Sequence, residues 1–404
     1  MNILFVHQNF PGQFKHLAPH LVRAGHHVKA LGMGGTGLPE VPLLRYGLQR
    51  GPGTDTHPLA KDFEAKVVRG EACALAAAQL RAQGFNPDII IANPGWGESL
   101  FLRDIWPQAR MLALLEFHYS ATGLDVGFDP EFGGNTLASD ARVRSKNASR
   151  LLVLDDMDWG LCPTEFQRST LPAVYQPRSS VIFDGIDTQQ VRPDAGASIT
   201  LDGRTLRAGD EVITFVNRNL EPYRGYHRFM RALPDILRRR PEAVVVIVGG
   251  DGVSYGAAAP AGTSWKQIFL DEVREQLDIS RVIFTGRLAY SDYLRVLQVS
   301  ACHVYLTYPF VLGWSCVEAL AAGALVVGSD TAPVREVIQH GENGLLVDFF
   351  DTAGLADTVV EVLAKPQQYA HLRQNARAQA VQRYDLASVC LPQQLQLLQR
   401  LLTG

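Results

Sequence analysis

Short apolar runs alternate with helical periodicities along this chain, and the alternation occurs twice. The first run, Asn2–Val6, leads into a helix expected from about Gln13 to Arg23. There Phe14, Leu17, Ala18, Leu21 and Val22 recur at helical spacing, and Gly25 ends the pattern. Further strands are expected at Val28–Leu31, Asp88–Ala92, Arg110–Leu115 and, shortly after Pro177, Val181–Phe183, with a long helical stretch from Lys61 to Gln83. The second half restarts at Glu211–Val216 and continues with Ala243–Val248, Val282–Thr285, His303–Thr307, Ala324–Gly328 and Leu345–Val347. Between these runs fall helices at Gly225–Arg239, kinked or broken at Pro234, at Ser264–Leu277, at Ser291–Val299, and one opening near Trp314. Pro333 starts another short helix that holds Glu336. Strands apolar on both faces, alternating with helices, predict an α/β chain of two doubly wound domains with parallel sheets. The domains are expected at 1–190 and 208–383, with the break between about Asp184 and Gly209, where Gly, Pro, Asp and Thr crowd together. An amphipathic last helix within 384–404 is expected to pack back on the first domain.

A length of 404 residues exceeds one ordinary core and agrees with two domains. A net charge of −3 gives no reason to expect nucleic acid as a partner. The basic runs Arg238–Arg240 and Arg142–Arg150 read as solvated helix ends and faces, the second leaving contact with an anionic lipid or acceptor open. Five cysteines, odd in number and without C-x-x-C spacing, point to a reduced, cytosolic compartment, with Cys302 and Cys316 as small hydrophobes. Met1 runs straight into an apolar strand, so no signal peptide is expected. No apolar run approaches the roughly 20 residues of a membrane span. The expected location is cytoplasmic, with peripheral contact at the inner face of the membrane left open.

The chemistry concentrates where strands end. In residues 309–347 a strand leads through a loop with Gly313 into a helix carrying one acid, Glu318, on an apolar body. Such a helix start offers backbone N–H groups to a phosphate, and a carboxylate one turn on could reach sugar or ribose hydroxyls. Arg218 closes a strand and Arg224 begins the next helix, placing two guanidiniums where they could fork onto a diphosphate. Gly250 and Asp251 end another strand, where a close approach to nucleotide and a tight turn are equally open. Arg287 and Leu288 follow the next strand, where a base could meet backbone groups. In the first half, Gly12 in Phe10–Gln13 suits close backbone approach to a phosphate or sugar, or a plain turn. The glycine-rich stretch Gly32–Gly37 follows the second strand, not the first, and reads as a flexible connection. His118 follows a strand and, if that strand runs like its neighbours, faces the cleft between domains; Glu116 beside it suggests a polar cluster. H-E-x-x-H, G-x-S-x-G, Walker A and metal-ligand patterns are absent.

With these positions the chain resembles the family-4 retaining glycosyltransferases, whose GT-B fold sets two Rossmann-like domains across a cleft. The likeness spans nearly the whole chain and is strongest from Val216 to Val347. It implies transfer of a sugar from a nucleotide diphosphate to a saccharide or lipid-linked acceptor with retention, without a metal or other cofactor. The family's diphosphate clamp falls on Arg218 and Arg224, with arginine replacing its lysine; the first-loop glycine falls on Gly12, and the histidine near the transferred sugar on His118. Of the family's two glutamates seven residues apart, the ribose-binding one is Glu318, but the sugar-contacting one is replaced by Phe310. Backbone amides of Val311, Leu312, Gly313, Trp314 and Ser315 are left to meet the sugar and β-phosphate. A nucleotide-sugar isomerase of the same architecture and a non-catalytic sugar-nucleotide-binding partner subunit are the alternatives.

Overall fold

The computed structural model describes residues 1–403. The chain forms two compact units, the first from Met1 to Asp184 together with the stretch from Cys390, the second Gly185–Val389.

The first unit holds strands β1 (Asn2–Val6), β2 (His27–Gly32), β3 (Leu43–Arg45), β4 (Ile89–Ala92), β5 (Arg110–Leu114), β6 (Trp159–Cys162) and β7 (Ser179–Val181). Its helices are α1 (Leu17–Arg23), α2 (Lys61–Ala82), α3 (Leu102–Ile105), α4 (Leu137–Lys146), α5 (Ala148–Asp156) and α6 (Glu165–Ser169). The strands form one parallel sheet in the order β3-β2-β1-β4-β5-β6-β7, so the chain reverses direction of travel between β1 and β4. The period of two divides the core. Ile3, Phe5, Ile89, Ile91, Leu112 and Leu114 face one layer, and Leu4, Val6, Ile90 and Met111 face Ala72, Cys73, Ala76 and Leu80 of α2 on the other.

The second unit begins with an antiparallel hairpin, β8 (Ser198–Leu201) and β9 (Arg204–Arg207), inside the segment expected to be a linker. The hairpin was hidden there because its strands are short and half exposed, while Asp202–Gly203 gives only the turn signal. A six-stranded parallel sheet follows, in the order β12-β11-β10-β13-β14-β15. Its strands are β10 (Val212–Asn219), β11 (Val244–Gly250), β12 (Val282–Gly286), β13 (Cys302–Tyr305), β14 (Val326–Ser329) and β15 (Leu345–Val347). The helices are α7 (Tyr226–Arg239), α8 (Trp265–Val273), α9 (Tyr290–Val299), α10 (Trp314–Ala321), α11 (Ala332–Arg335), α12 (Thr352–Ala364) and α13 (Ala370–Tyr384). A last helix, α14 (Leu391–Thr403), belongs to the first unit, where Leu397 and Leu398 lie in the same layer as Phe14, Leu17 and Leu21.

Several local expectations change. The helix after β1 is a 3-10 turn (Gly12–Lys15) followed by α1, and Ile182 and Phe183 lie beyond β7. Helix α7 runs unbroken through Pro234, because Phe229, Met230, Leu233, Ile236 and Leu237 anchor it on both sides of the missing N–H. Glu336 caps α11 instead of lying within it. Gly32–Gly37 is pinned, not free: Met33 and Gly34 donate to the Gln8 carbonyl at 3.0 and 2.8 Å, and Gly37 donates to that of Phe10 at 3.1 Å. All five cysteines are buried, and among the described residues no helix is long and apolar enough to cross a membrane.

Candidate functional site: a nucleotide edge on the second unit and a polar edge on the first

Each sheet presents its carboxyl ends, beside the point of strand reversal, as a place for ligand. In the second unit, the β10–β11 register slips between Val216 and Asn219, freeing Asn217 and Arg218 from the ladder. The β11–β12 register slips beside them, between Ile247 and Val248. A cavity of about 330 Å³ opens there, lined by Asn217, Arg218, Val248, Gly249, Arg287, Leu288 and Tyr293. Arg218 and Arg287 are both exposed, and neither makes an ion pair among the described residues. Gly250 permits this approach: a Cβ there would lie 2.8 Å from Asn219 Oδ1 and 3.3 Å from Arg287 Nε. Asp251 takes no part, pairing with Lys266 of α8 at 3.3 Å.

Arg224 does not line this cavity. It is 6% exposed, and its Nη1 donates to Thr307 Oγ1 at 2.8 Å and to the Val311 carbonyl at 2.9 Å. Its guanidinium lies 4.9 Å from the Tyr255 ring centroid and 5.9 Å from that of Phe310. The 3-10 turn Pro222–Arg224 folds the side chain inward, so it fastens the loop after β13. The other exposed arginine lining the cavity with Arg218 is Arg287.

Phe310 is buried in an aromatic box with Tyr223 and Tyr255, at centroid distances of 5.6 and 5.0 Å. Glu221, 1% exposed, closes the box by accepting from the backbone N–H groups of Ser254, Tyr255 and Gly256. An apolar side chain therefore fills the position of the expected acid. Helix α10 starts at Gly313 without a side-chain cap. The Gly313 N–H is already spent, donating to Tyr305 Oη at 2.8 Å. That removes one of the five amides expected to face ligand; Leu312 is buried, while Val311, Trp314 and Ser315 are half-buried. Glu318 lies one turn inside α10, 5% exposed, accepting from Tyr290 Oη at 2.7 Å and Tyr293 Oη at 2.6 Å. Tyr293, not Glu318, lines the cavity. The two tyrosines stand three residues apart on α9, one face of a helix, and that spacing was the available signal.

In the first unit, Gly12 adopts φ +50°. The space beside it belongs to the imidazole of His7, which a Cβ would meet at 2.4 Å. Its smallness thus serves the protein's own histidine. His7 Nδ1 accepts from the Asn9 N–H at 3.0 Å, so Nε2 carries the proton and donates to Gln13 Oε1 at 2.9 Å. Gln13 donates on to Glu116 at 2.6 Å, and Asn93 donates to the other oxygen of Glu116 at 3.1 Å. This relay crosses the ends of β1, β4 and β5. Burial keeps His7 below its usual pKa.

Glu116 is therefore committed to Gln13 and Asn93, while His118 has other neighbours. The His118 N–H donates to Thr170 Oγ1 at 3.0 Å, and its Nδ1 has no partner. Burial, then the Arg150 charge, lower its pKa to about 4, so it is a neutral imidazole at pH 7. The next residue, Tyr119, is clasped by Asn147, which donates to its carbonyl at 2.7 Å and accepts from its N–H at 3.2 Å. Sequence reasoning missed His7, Asn147, Tyr290 and Tyr293.

Two parallel-sheet units, one with unpaired arginines at a glycine-lined carboxyl edge, define a doubly wound α/β class of protein. Residues 24–191 match the family described as Glycosyl transferase family 4 group, and 201–379 match Glycosyl transferases group 1. The chain belongs to these family-4 glycosyltransferases and has their GT-B fold. Among relatives, a GDP-mannose-dependent alpha-(1-6)-phosphatidylinositol monomannoside mannosyltransferase of Mycobacterium tuberculosis is 28% identical over 55% of this chain and 62% of its own. A D-inositol 3-phosphate glycosyltransferase of Rhodococcus jostii is 29% identical over 49% of this chain and 42% of its own. The matches thus span less than two thirds of these relatives' length. In structure, sucrose-phosphate synthase from Thermosynechococcus elongatus superposes with TM-score 0.74 at 19% identity, covering 99% of both chains. Anabaena HepE, solved with UDP-glucose, superposes with TM-score 0.65 at 17% identity, again over 99% of both chains. These structural likenesses are of fold.

Proposed function

We propose that the protein is a retaining glycosyltransferase that moves a sugar from a nucleoside diphosphate sugar to an acceptor hydroxyl. The observation that carries this reading is the cavity where Arg218 and Arg287 stand without carboxylate partners. A diphosphate supplies the missing negative charge and accepts forked hydrogen bonds from both. As the sugar–phosphate bond breaks, charge builds on the leaving diphosphate and is met by these arginines and the first turn of α10. The leaving group is good enough that the paired carboxylates of glycoside hydrolysis are not needed, in keeping with Phe310 at the acid position. Nor does this arrangement call for a metal. His118, neutral at pH 7, is available to hydrogen-bond a sugar or acceptor hydroxyl.

The named activities of the relatives support GDP-mannose as the first donor to try and a lipid-linked or inositol-type acceptor. The reading extends to a role in cell-surface glycoconjugate assembly, with the protein cytoplasmic and meeting the inner face of the membrane. Incubation with GDP-mannose, UDP-glucose and their acceptor-free controls tests the reading. Slow donor hydrolysis and acceptor-dependent transfer with the anomeric configuration kept are expected. Sugar interconversion would make it an isomerase, binding without turnover a partner subunit, and an inverted product would remove retention.

A further inference from the structure

Helices α4 and α5 carry Arg142, Arg144, Lys146 and Arg150, and among the described residues none of the four makes an ion pair. The helices of the second unit differ: Arg231 pairs with Glu272, Arg239 with Asp235 and Asp357, and Arg274 with Asp271. Lys146 and Arg150 are half-buried, with Lys146 Nζ 3.7 Å and Arg150 Cζ 4.7 Å from the centroid of the Tyr119 ring. From α2, Lys66 reaches the same place. Its Nζ and Arg150 Nη1 both donate to the Lys146 carbonyl, at 3.4 and 3.2 Å. Three cations thus gather at the α4–α5 junction. Asp62 pairs with Lys66 at 2.7 Å, and Asp125 acts on Lys146 from further off, so the acids are outnumbered.

Holding them together has a cost. Burial, then repulsion from Arg150, pulls the Lys66 pKa down to about 8, and the same causes lower that of Lys146. The loop beside them is fixed by the Asn147 and Thr170 hydrogen bonds and leaves His118 Nδ1 unpartnered. It leaves β5 at the carboxyl edge of the sheet, where this architecture takes ligand.

We propose that Lys146 and Arg150, supported by Lys66 and with His118 beside them, form a subsite for a phosphate ester carried by the acceptor. A phosphate would provide the absent counter-charge through charge-assisted hydrogen bonds, from an arginine already ordered on an aromatic face. Only the word acceptor rests on the proposed transferase reading; the anion site stands on the cluster itself.

The full chain, saturated with GDP to fill the nucleotide cavity, is titrated calorimetrically with glycerol 3-phosphate. In parallel it is floated with phosphatidylcholine vesicles, with and without phosphatidylinositol. Binding of glycerol 3-phosphate identifies a soluble phosphate ester. Binding only to phosphatidylinositol vesicles identifies a lipid-borne one. In either case K146Q/R150Q should bind about tenfold more weakly or worse, and Arg204→Gln, on the exposed β9 strand of the hairpin, should bind as the wild type does. In the wild-type protein, the saturating probe should also raise the His118 pKa, read by NMR as the anion offsets Arg150. No binding of either probe, undiminished binding by the double variant, or an unmoved His118 titration overturns the site. Phosphate binding without any nucleotide binding would retain the site and sink the transferase reading instead.

Discussion

Arg224 donates to the carbonyl oxygen of Val311 at 2.9 Å, from a side chain closed off from solvent. The residue that resemblance assigned to the diphosphate is thus a clasp on the loop that leads into α10. Replacing it by alanine leaves the Val311 carbonyl unpaired and a void under Tyr255 and Phe310. Arg224→Ala should destabilise the second unit by about 3 kcal/mol, measured by urea unfolding. An unchanged unfolding midpoint with nucleotide affinity gone would return Arg224 to the ligand.

Arg218 and Arg287 should behave in the opposite way. Both are exposed at the cavity, so alanine at either should cost little stability. Each loses charge-assisted hydrogen bonds to the diphosphate, lowering GDP or UDP affinity about tenfold or more by calorimetry. Wild-type affinity in Arg287→Ala would mean that the cavity is not the diphosphate site.

The Glu318 carboxylate gives a third contrast. Tyr293→Phe removes a 2.6 Å hydrogen bond to it and should cost about 1 kcal/mol of stability while weakening nucleotide binding, since Tyr293 also lines the cavity. Tyr290→Phe, at a residue 42% exposed and outside the cavity lining, should affect nucleotide much less. Equal effects on affinity from the two variants would mean that nucleotide does not reach Tyr293 in the cavity.

His303 connects the second unit to pH. It is fully buried, its Nδ1 lies 2.8 Å from Thr214 Oγ1, and burial lowers its pKa from 6.5 to about 3. The unfolded chain therefore binds a proton that the folded one refuses between those values. Stability present above pH 6.5 should fall as the pH drops toward 3, by up to about 1.4 kcal/mol per pH unit. His303→Asn should flatten this slope in acid denaturation series, and an unaltered slope would exclude His303 as its source.

The sheet strands were legible because Ile3-Leu4-Phe5-Val6 or Val244-Val245-Val246-Ile247 have no other way to hide apolar side chains on both faces. Arg218 and Glu318 were legible as site candidates from their places after a strand and inside a helix. What was not legible depends on pairs distant in sequence. Nothing near Gly12 says that the His7 imidazole occupies its empty side, and nothing near Arg224 says that Val311 will claim it. The hairpin at Ser198–Arg207 escaped because half-exposed strands lack a continuous apolar run. Nothing near Lys66 in the sequence says that it will be buried against the Lys146 carbonyl.

The return of α14 to the first unit sets an order of assembly during synthesis. Leu397 and Leu398 fill the layer that also holds Phe14, Leu17 and Leu21, and Gln394 donates to the Phe183 carbonyl at 3.3 Å. A ribosome must release everything from Gly185 to Val389 before those leucines emerge. The nascent first unit therefore waits with an uncovered apolar face while the second, begun later, has all its residues first. Until its last helix arrives, the exposed layer is where a chaperone would hold this chain.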